Sequence, residues 1–165
     1  MDTAIYLHPT ATPKATAKPT AAGTKLKNKN ASYQVVSANP KQPTVTYVQN
    51  LKKTAASVTV PVQVKIGSVT YKVVAIGSKA FANNKKLKTL TIGKNITTIG
   101  KSAFAGCKKL KKITIKSTKL KSGAIGKNAF KGTAKNLVVK VPRKQYRAYK
   151  KFLKKKGNKT VKVTK

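Results

Sequence analysis

The sequence predicts a β-rich α/β solenoid, a short array of about three to four coils with an N-terminal β-hairpin or meander over one end and a helix plus strand over the other. Three observations carry this. Residues 76–115 read IGSKAFANNKKLKTLTIGKNITTIGKSAFAGCKKLKKITI, where Ile76/Ile99, Phe81/Phe104, Leu87/Leu110, Leu90/Ile113 and Ile92/Ile115 each recur 23 residues apart. A fixed interval in the twenties marks units that bury their apolar side only by stacking on a neighbour. Within a unit, Leu90 and Ile92 alternate with Thr91, the period of a strand with one face buried. Finally, 165 residues at 39% apolar suit one domain with a modest core, with or without a tail.

Taken in order, residues 1–30 hold Thr, Pro, Ala, Gly and Lys with almost no large apolar side chain, and read as a flexible, partly extended linker. Residues 31–165 form the single domain: strands and cap over 31–74, repeats over 75–141 and a C-terminal cap over 142–165. Tyr33 and Val35, then Val45 and Tyr47, stand at period two, with Asn39-Pro40 and Pro43 as breakers between them. Val62, Val64 and Ile66, a Gly67-Ser68 turn, and Val69, Tyr71 and Val73 read as a β-hairpin. Such a hairpin would cover the exposed edge at the start of a solenoid.

In the repeats, Ser78-Lys79-Ala80-Phe81 and Lys101-Ser102-Ala103-Phe104 follow a glycine and set one aromatic beside a small Ala, the pattern expected of a short helical turn plugging the core with Phe. A looser copy places Ile125, Phe130 and Val141 26 residues after Ile99, Phe104 and Ile115, with the extra length in KSTKLKSG. Val58-Thr59-Val60 forms an earlier half-copy. Stacking these strands puts Thr59, Thr91, Thr114 and Lys140 in one outward column. From Pro142 to Lys156 the spacing becomes helical, with Tyr146, Tyr149, Phe152 and Leu153 on one side and Gly157 as the stop. Val161-Lys-Val163 offers a last strand.

Charge limits the chemistry more than anything else. There are 38 Lys and Arg against the single acid Asp2, a formal net charge of +37. Without carboxylates after residue 2 there are no acid/base pairs, carboxylate metal cages or Asp-oriented triads, so the expectation is no enzyme, no metal and no cofactor. The lysines repel one another with no internal salt bridge to offset them, and an anionic partner is the natural screen. That repulsion also argues for a monomer. The start MDTAIYLHPT lacks a basic and an apolar region, and no run of about 18 apolar residues occurs, so no transmembrane segment is expected. Any signal or anchor is expected to lie outside these residues.

Single residues divide between packing and function. Cys107, whose counterpart one coil earlier is Asn84, reads as a core thiol, since no second Cys and no acid-supported His accompanies it. His8 lies alone in the linker, where a metal site would need several ligands. Phe81, Phe104 and Phe130 recur at the repeat interval and read as structural core. The candidate anion-binding residues are Lys85/Lys108, Lys86/Lys109 and Lys88/Lys111, which hold equivalent places one coil apart, together with Lys140. Stacked about 5 Å apart, two such charges repel by about 0.8 kcal/mol in bulk water, tolerable per rung and attractive to an anion as a set. The bland alternative is a solubilising face, but such a face ordinarily carries both signs. The 142–156 helix divides similarly, between a cap and an amphipathic segment on an anionic membrane.

Ile-Gly-x-x-Ala-Phe at 76–81 and 99–104, its third copy Ile125-Gly-Lys-Asn-Ala-Phe130, Gly106-Cys107-x-x-Leu110 and the Leu-x-x-Leu-x-Ile strands resemble the BspA-type (Treponema-type) leucine-rich repeat over roughly residues 58–141. The flanks resemble those of such domains in surface proteins of gut-dwelling Gram-positive bacteria. The resemblance implies a secreted or cell-surface adhesion or binding module without catalysis. With the charge, it leads to the expectation that lysine columns hold anionic polymers: teichoic acid, acidic host glycans or acidic proteins. The alternative is sequence-nonspecific nucleic-acid binding, for which a pI near 10.7 is the expected footprint. Scarce Arg, with only Arg143 and Arg147, argues against it.

Overall fold

The alternating segments become strands of one parallel sheet. The computed structural model describes residues 17–165, and in it β4 (Ser57–Val60), β7 (Thr89–Ile92), β9 (Lys112–Ile115), β10 (Val138–Lys140) and β11 (Lys162–Thr164) lie side by side in that order. Thr59 pairs with Thr91, Thr91 with Thr114, Thr114 with Lys140, and Lys140 with Thr164. The outward column expected from the alternation is thus in register and one residue longer. The intervening positions Leu90, Ile92, Ile113, Ile115 and Val139 point the other way, into the core.

A second sheet is built from β1 (Lys25–Lys27), β2 (Ala31–Ser37), β3 (Thr44–Asn50), β6 (Val69–Ile76) and β5 (Gln63–Ile66) in that spatial order, with β8 (Thr98–Ile99) also pairing with β6. The β5–β6 hairpin turns at Gly67, whose φ of 62° suits glycine. The rest is no simple meander, because β3 runs parallel to β6. Parallel neighbours need a crossover. Here the chain leaves β3, crosses to the other sheet as β4, and returns through β5, so the N-terminal strands already wind as a coil.

Between the sheets Tyr47, Phe81, Phe104 and Phe130 stack with successive ring centroids 5.3, 5.6 and 5.7 Å apart. All four rings are buried.

Three expectations change. The segments ending in Ala-Phe, at 78–81, 101–104 and 127–130, are not helical turns: Lys79, Ser102 and Asn128 have φ of 58, 54 and 59°, outside the right-handed helical region. Each segment is a run of tight turns, such as Ala82 N–H to Lys79 C=O at 3.0 Å and Asn84 N–H to Phe81 C=O at 3.1 Å. The turns leave alternate N–H groups free to bond the next coil: Lys79 to Lys101 C=O (3.0 Å), Phe81 to Ala103 C=O (2.8 Å) and Asn83 to Ala105 C=O (2.8 Å). A helix would have used those donors internally.

Part of the span expected as a linker over residues 1–30 belongs to the fold. Lys25–Lys27 pairs antiparallel with β2, and the Thr20 N–H donates to the Tyr71 hydroxyl at 3.1 Å. Leu26 is the apolar residue that lets this strand pack on the core. The remainder of that expectation, with His8 and Asp2, falls outside the described residues.

The C-terminal helix α1 is confined to Tyr146–Leu153, preceded by a 3-10 turn at Arg143–Gln145. Its Tyr149, Phe152 and Leu153 are buried. The Tyr149 hydroxyl donates to Ser117 C=O (2.9 Å) and accepts from Leu120 N–H (3.1 Å). The face that would have entered a membrane is packed on the protein instead.

Candidate functional site

Lys85, Lys86, Lys88, Lys108, Lys109, Lys111 and Lys140 are all exposed. Residues 85–88 and 108–111 occupy the turns that lead from a buried Phe into β7 and β9. Inter-coil bonds bracket the two segments, Asn83 N–H to Ala105 C=O (2.8 Å) before them and Lys111 N–H to Lys88 C=O (3.0 Å) after them. Lys88 therefore sits directly beside Lys111. The next coil breaks the pattern, since Val138 N–H bonds Lys111 C=O and Leu137, fully buried, takes the position below Lys111.

Lys85 and Lys86 differ from Lys108 and Lys109 in their surroundings. Lys85 and Lys86 border a cavity of about 450 Å³ together with Lys53 and Lys79, and its lining does not include Lys108 or Lys109. The two turns are also closed by different groups. In the first, Asn84 Oδ1 accepts the N–H groups of Lys86 and Leu87 at 3.1 Å each. This Asx turn is the local reason that two consecutive lysines face outward before Leu87 enters the core. In the second, Cys107 replaces Asn84 and turns its Sγ inward, so backbone closes the turn instead: Lys108 N–H donates to Gly106 C=O (2.9 Å) and Leu110 N–H to Cys107 C=O (3.0 Å). Of the three expected rungs, a direct backbone bond joins Lys88 and Lys111. Lys85/Lys108 and Lys86/Lys109 are equivalent in sequence but sit on differently built turns.

Lys140 does not join this group. It stands mid-strand on the outer face of the parallel sheet, between Thr114 and Thr164. Two lysines missed in the sequence share that face: Lys112 and Lys162 both pair with Val138, two residues before Thr114 and Thr164 in their strands. The period-two rule carries the signal, because residues i and i+2 of a strand share a face. Toward β11 the ammonium groups of Lys112, Lys140 and Lys162 thus join the hydroxyls of Thr114 and Thr164 on this face.

No carboxylate side chain occurs among the described residues, and no cluster of three or more His, Cys, Asp or Glu. No exposed ammonium there is paired with a side-chain carboxylate; Lys72 Nζ, for example, donates to Gln42 Oε1 at 3.3 Å.

Cys107 is fully buried, and its Sγ donates to Phe81 C=O at 2.9 Å. Burial pushes its thiol up to about 11, against the smaller opposing pull of a backbone bond at Asn84, so the protonated form prevails at neutral pH. A thiolate is what nucleophilic or metal chemistry would require.

Residues 62–163 match the family model for the BspA type leucine rich repeat region, in six copies. No curated protein matches the chain. Solved structures do. A leucine rich cell surface protein from Faecalibacterium prausnitzii A2-165 has a TM-score of 0.57 at 24% identity, covering 74% of this chain and 38% of its own. A leucine-rich repeat protein from Bacteroides capillosus ATCC 29799 has a TM-score of 0.58 at 17% identity, covering 86% and 99%. The chain thus spans less than half of the first and nearly all of the second. At these identities the likeness is one of fold.

Proposed function

The chain belongs to the BspA-type leucine-rich-repeat family, and on that basis we propose that it is a non-catalytic, surface-displayed or secreted binding and adhesion module whose lysines hold anionic polymers. The observation that carries this reading is the pair of lysine-bearing turns, exposed, bracketed by inter-coil bonds and without a carboxylate in the described part of the chain. Packing explains Phe81, Phe104 and Phe130, but it gains nothing from setting one ammonium above another. A flexible polymer such as teichoic acid or an acidic host glycan bridges successive turns, tolerates their different build, and draws affinity from many weak contacts. Lysine suits that role, being a strongly hydrated point charge, whereas shape-selective phosphate recognition favours the bidentate fork of Arg.

The same repulsion keeps the protein monomeric. The parallel sheet ends in β4 and β11, each paired on one side, and the charge of lysines such as Lys162 on β11 opposes edge pairing with a second copy. Surface display agrees with the cell-surface description of the Faecalibacterium structure. No helix among the described residues is long and apolar enough to cross a membrane.

The test is binding to heparin-like and teichoic polymers at rising NaCl, for the wild type and two variants. In one, Lys85, Lys86 and Lys88 become Gln; in the other, Lys25, Lys27 and Lys41 do. Binding falls away at several hundred millimolar salt, and the first variant loses more than the second. Salt-independent binding, absence of binding at low salt, or equal loss in the two variants overturns the reading.

A further inference from the structure

At the N-terminal end a cavity of about 420 Å³ opens between the β1–β2 turn, the end of β3 and the strands β4 and β5. Much of its wall is amide and hydroxyl: Asn28 and Asn30 from the turn, Asn50 from β3, Thr59 from β4 and Gln63 from β5. Two of these amides serve the fold. Asn28 Oδ1 accepts the N–H groups of Asn30 (2.9 Å) and Ala31 (3.0 Å), which shapes the turn. Asn50 accepts the Tyr47 hydroxyl (3.2 Å) and donates to Lys52 C=O (3.0 Å).

Asn30 differs. Its backbone is held at both ends, the N–H by Asn28 and the C=O by Leu51 N–H at 2.9 Å. Its side-chain Oδ1 is buried and has no partner in the protein. A buried acceptor left without a donor is costly, and native structures supply one from protein, water or ligand. Lys52 and Lys65, both exposed, also line the cavity.

We infer that this cavity binds one acidic sugar unit of a glycan, its hydroxyls exchanging hydrogen bonds with Asn30 and Gln63 and its carboxylate held between Lys52 and Lys65. The chemistry selects the class. A fully ionised phosphate or sulfate accepts but does not donate, so it leaves the Asn30 oxygen unpaired. A sugar hydroxyl donates and accepts at once, as does the amide wall. An apolar ligand would leave the Asn30 oxygen without a donor. The inference rests on the proposed binding of anionic polymers and narrows it to acidic glycans.

The test uses the full chain and digalacturonate at physiological salt, with the carboxyl-reduced disaccharide and a polyphosphate as comparisons, followed by backbone amide NMR shifts. Digalacturonate shifts Asn30, Asn50, Lys52 and Lys65, and Asn30→Ala weakens it about three- to tenfold. Lys52→Gln with Lys65→Gln lowers its affinity to that of the reduced disaccharide. Polyphosphate shifts residues 85–88 and 108–111 and leaves the cavity unmoved. Digalacturonate acting only on residues 85–88 and 108–111, or unchanged binding by Asn30→Ala, overturns the inference while leaving the polymer reading intact. Cavity shifts without any polyphosphate binding uphold the inference and overturn the polymer reading. Should Asn30→Ala not fold, Gln63→Ala, at an exposed position, decides in its place: a several-fold loss supports the site and no loss overturns it.

Discussion

Tyr47 lies parallel to Phe81, with ring centroids 5.3 Å apart and planes 9° from parallel. A residue of β3, well before the repeated stretch, thus supplies the first ring of the stack that the repeats continue through Phe104 and Phe130. Tyr33 ends the stack edge-on, at 5.4 Å and 84°. The Tyr47 hydroxyl bonds Asn50 Oδ1 at 3.2 Å, so the polar atom at this end of the core is satisfied. The N-terminal strands and the repeats therefore share one core, and they are expected to unfold together.

The middle ring tests that expectation. Phe104 is fully buried between Phe81 and Phe130, at 5.6 and 5.7 Å. Phe104→Ala removes both contacts and leaves a cavity, costing about 3–5 kcal/mol. Urea unfolding followed separately by tyrosine fluorescence and far-UV circular dichroism should give one transition at a lower midpoint. Two separated transitions would mean that the N-terminal strands fold on their own core.

The glycines of the second and third Ile-Gly-x-x-Ala-Phe units, Gly100 and Gly126, are required for a reason distinct from backbone conformation, whereas a Cβ on Gly77 would come no nearer than 3.3 Å to its neighbours. A Cβ on Gly100 would overlap the Ser78 nitrogen and come within 2.6 Å of the Gly77 carbonyl carbon. One on Gly126 would meet the equivalent atoms, the Lys101 nitrogen and the Gly100 carbonyl carbon. Backbone there leaves no room to yield. Gly100→Ala should lower stability by about 1–3 kcal/mol, as overpacking does. Gly123→Ala, where a Cβ meets nothing within 4 Å, should stay within about 0.5 kcal/mol of wild type. Melting temperatures of the two variants check the contrast.

The parallel sheet was legible because its signal is local: alternation within each strand and one interval between strands place Thr59, Thr91, Thr114 and Lys140 without three-dimensional knowledge. Tyr47 was legible as a strand residue but not as the first ring, since no repeat interval connects it to Phe81. The segment Ser78-Lys79-Ala80-Phe81 reads as helical in sequence because a helix and a run of tight turns both bury one residue in a short segment. What separates them is the donor demand of the neighbouring coil, a long-range property. Lys108 and Lys109 look interchangeable with Lys85 and Lys86 by interval alone, and the exchange of Asn84 for Cys107 is the one local sign that their turn closes differently. Lys112 and Lys162 were readable from the two-residue period. The cavity at Asn30 was not, because its wall comes from four segments that only the crossover from β3 to β4 brings together.

Cys107 gives a pH signature. Its thiol is raised from 9.0 to about 11 by burial. A group held protonated by the fold contributes stability that is fully present below its unfolded value and is lost as pH rises through the folded one. Relative to Cys107→Ala, the wild type should therefore keep a constant margin up to about pH 9 and lose it progressively toward pH 11. Burial raises Tyr33, Tyr47 and Tyr149 in the same direction, but they are common to both proteins and cancel in the difference. Denaturant midpoints of the pair across this range measure it. A margin that widens with pH would place the thiolate, not the thiol, in the folded state.

Lys88 and Lys111 separate the contribution of register from that of net charge. Their backbones are joined by the Lys111 N–H to Lys88 C=O bond at 3.0 Å, and both side chains are exposed. Lys88→Glu turns a like-charged neighbour into an opposite one about one strand spacing away. At low salt this should stabilise the domain by about 0.2–1 kcal/mol, a gain that salt removes as the Debye length shrinks below about 8 Å. Lys41→Glu makes the same change in net charge in a loop far along the chain, and should stabilise less. Polyanion binding should move the opposite way, with Lys88→Glu the weaker binder, since it places a repelling carboxylate inside the stacked set. Thermal melts and heparin-column elution of the two variants at matched salt provide both readouts. Equal elution would mean that total charge carries the binding, and the stacked lysines would then be a consequence of the repeat rather than a site.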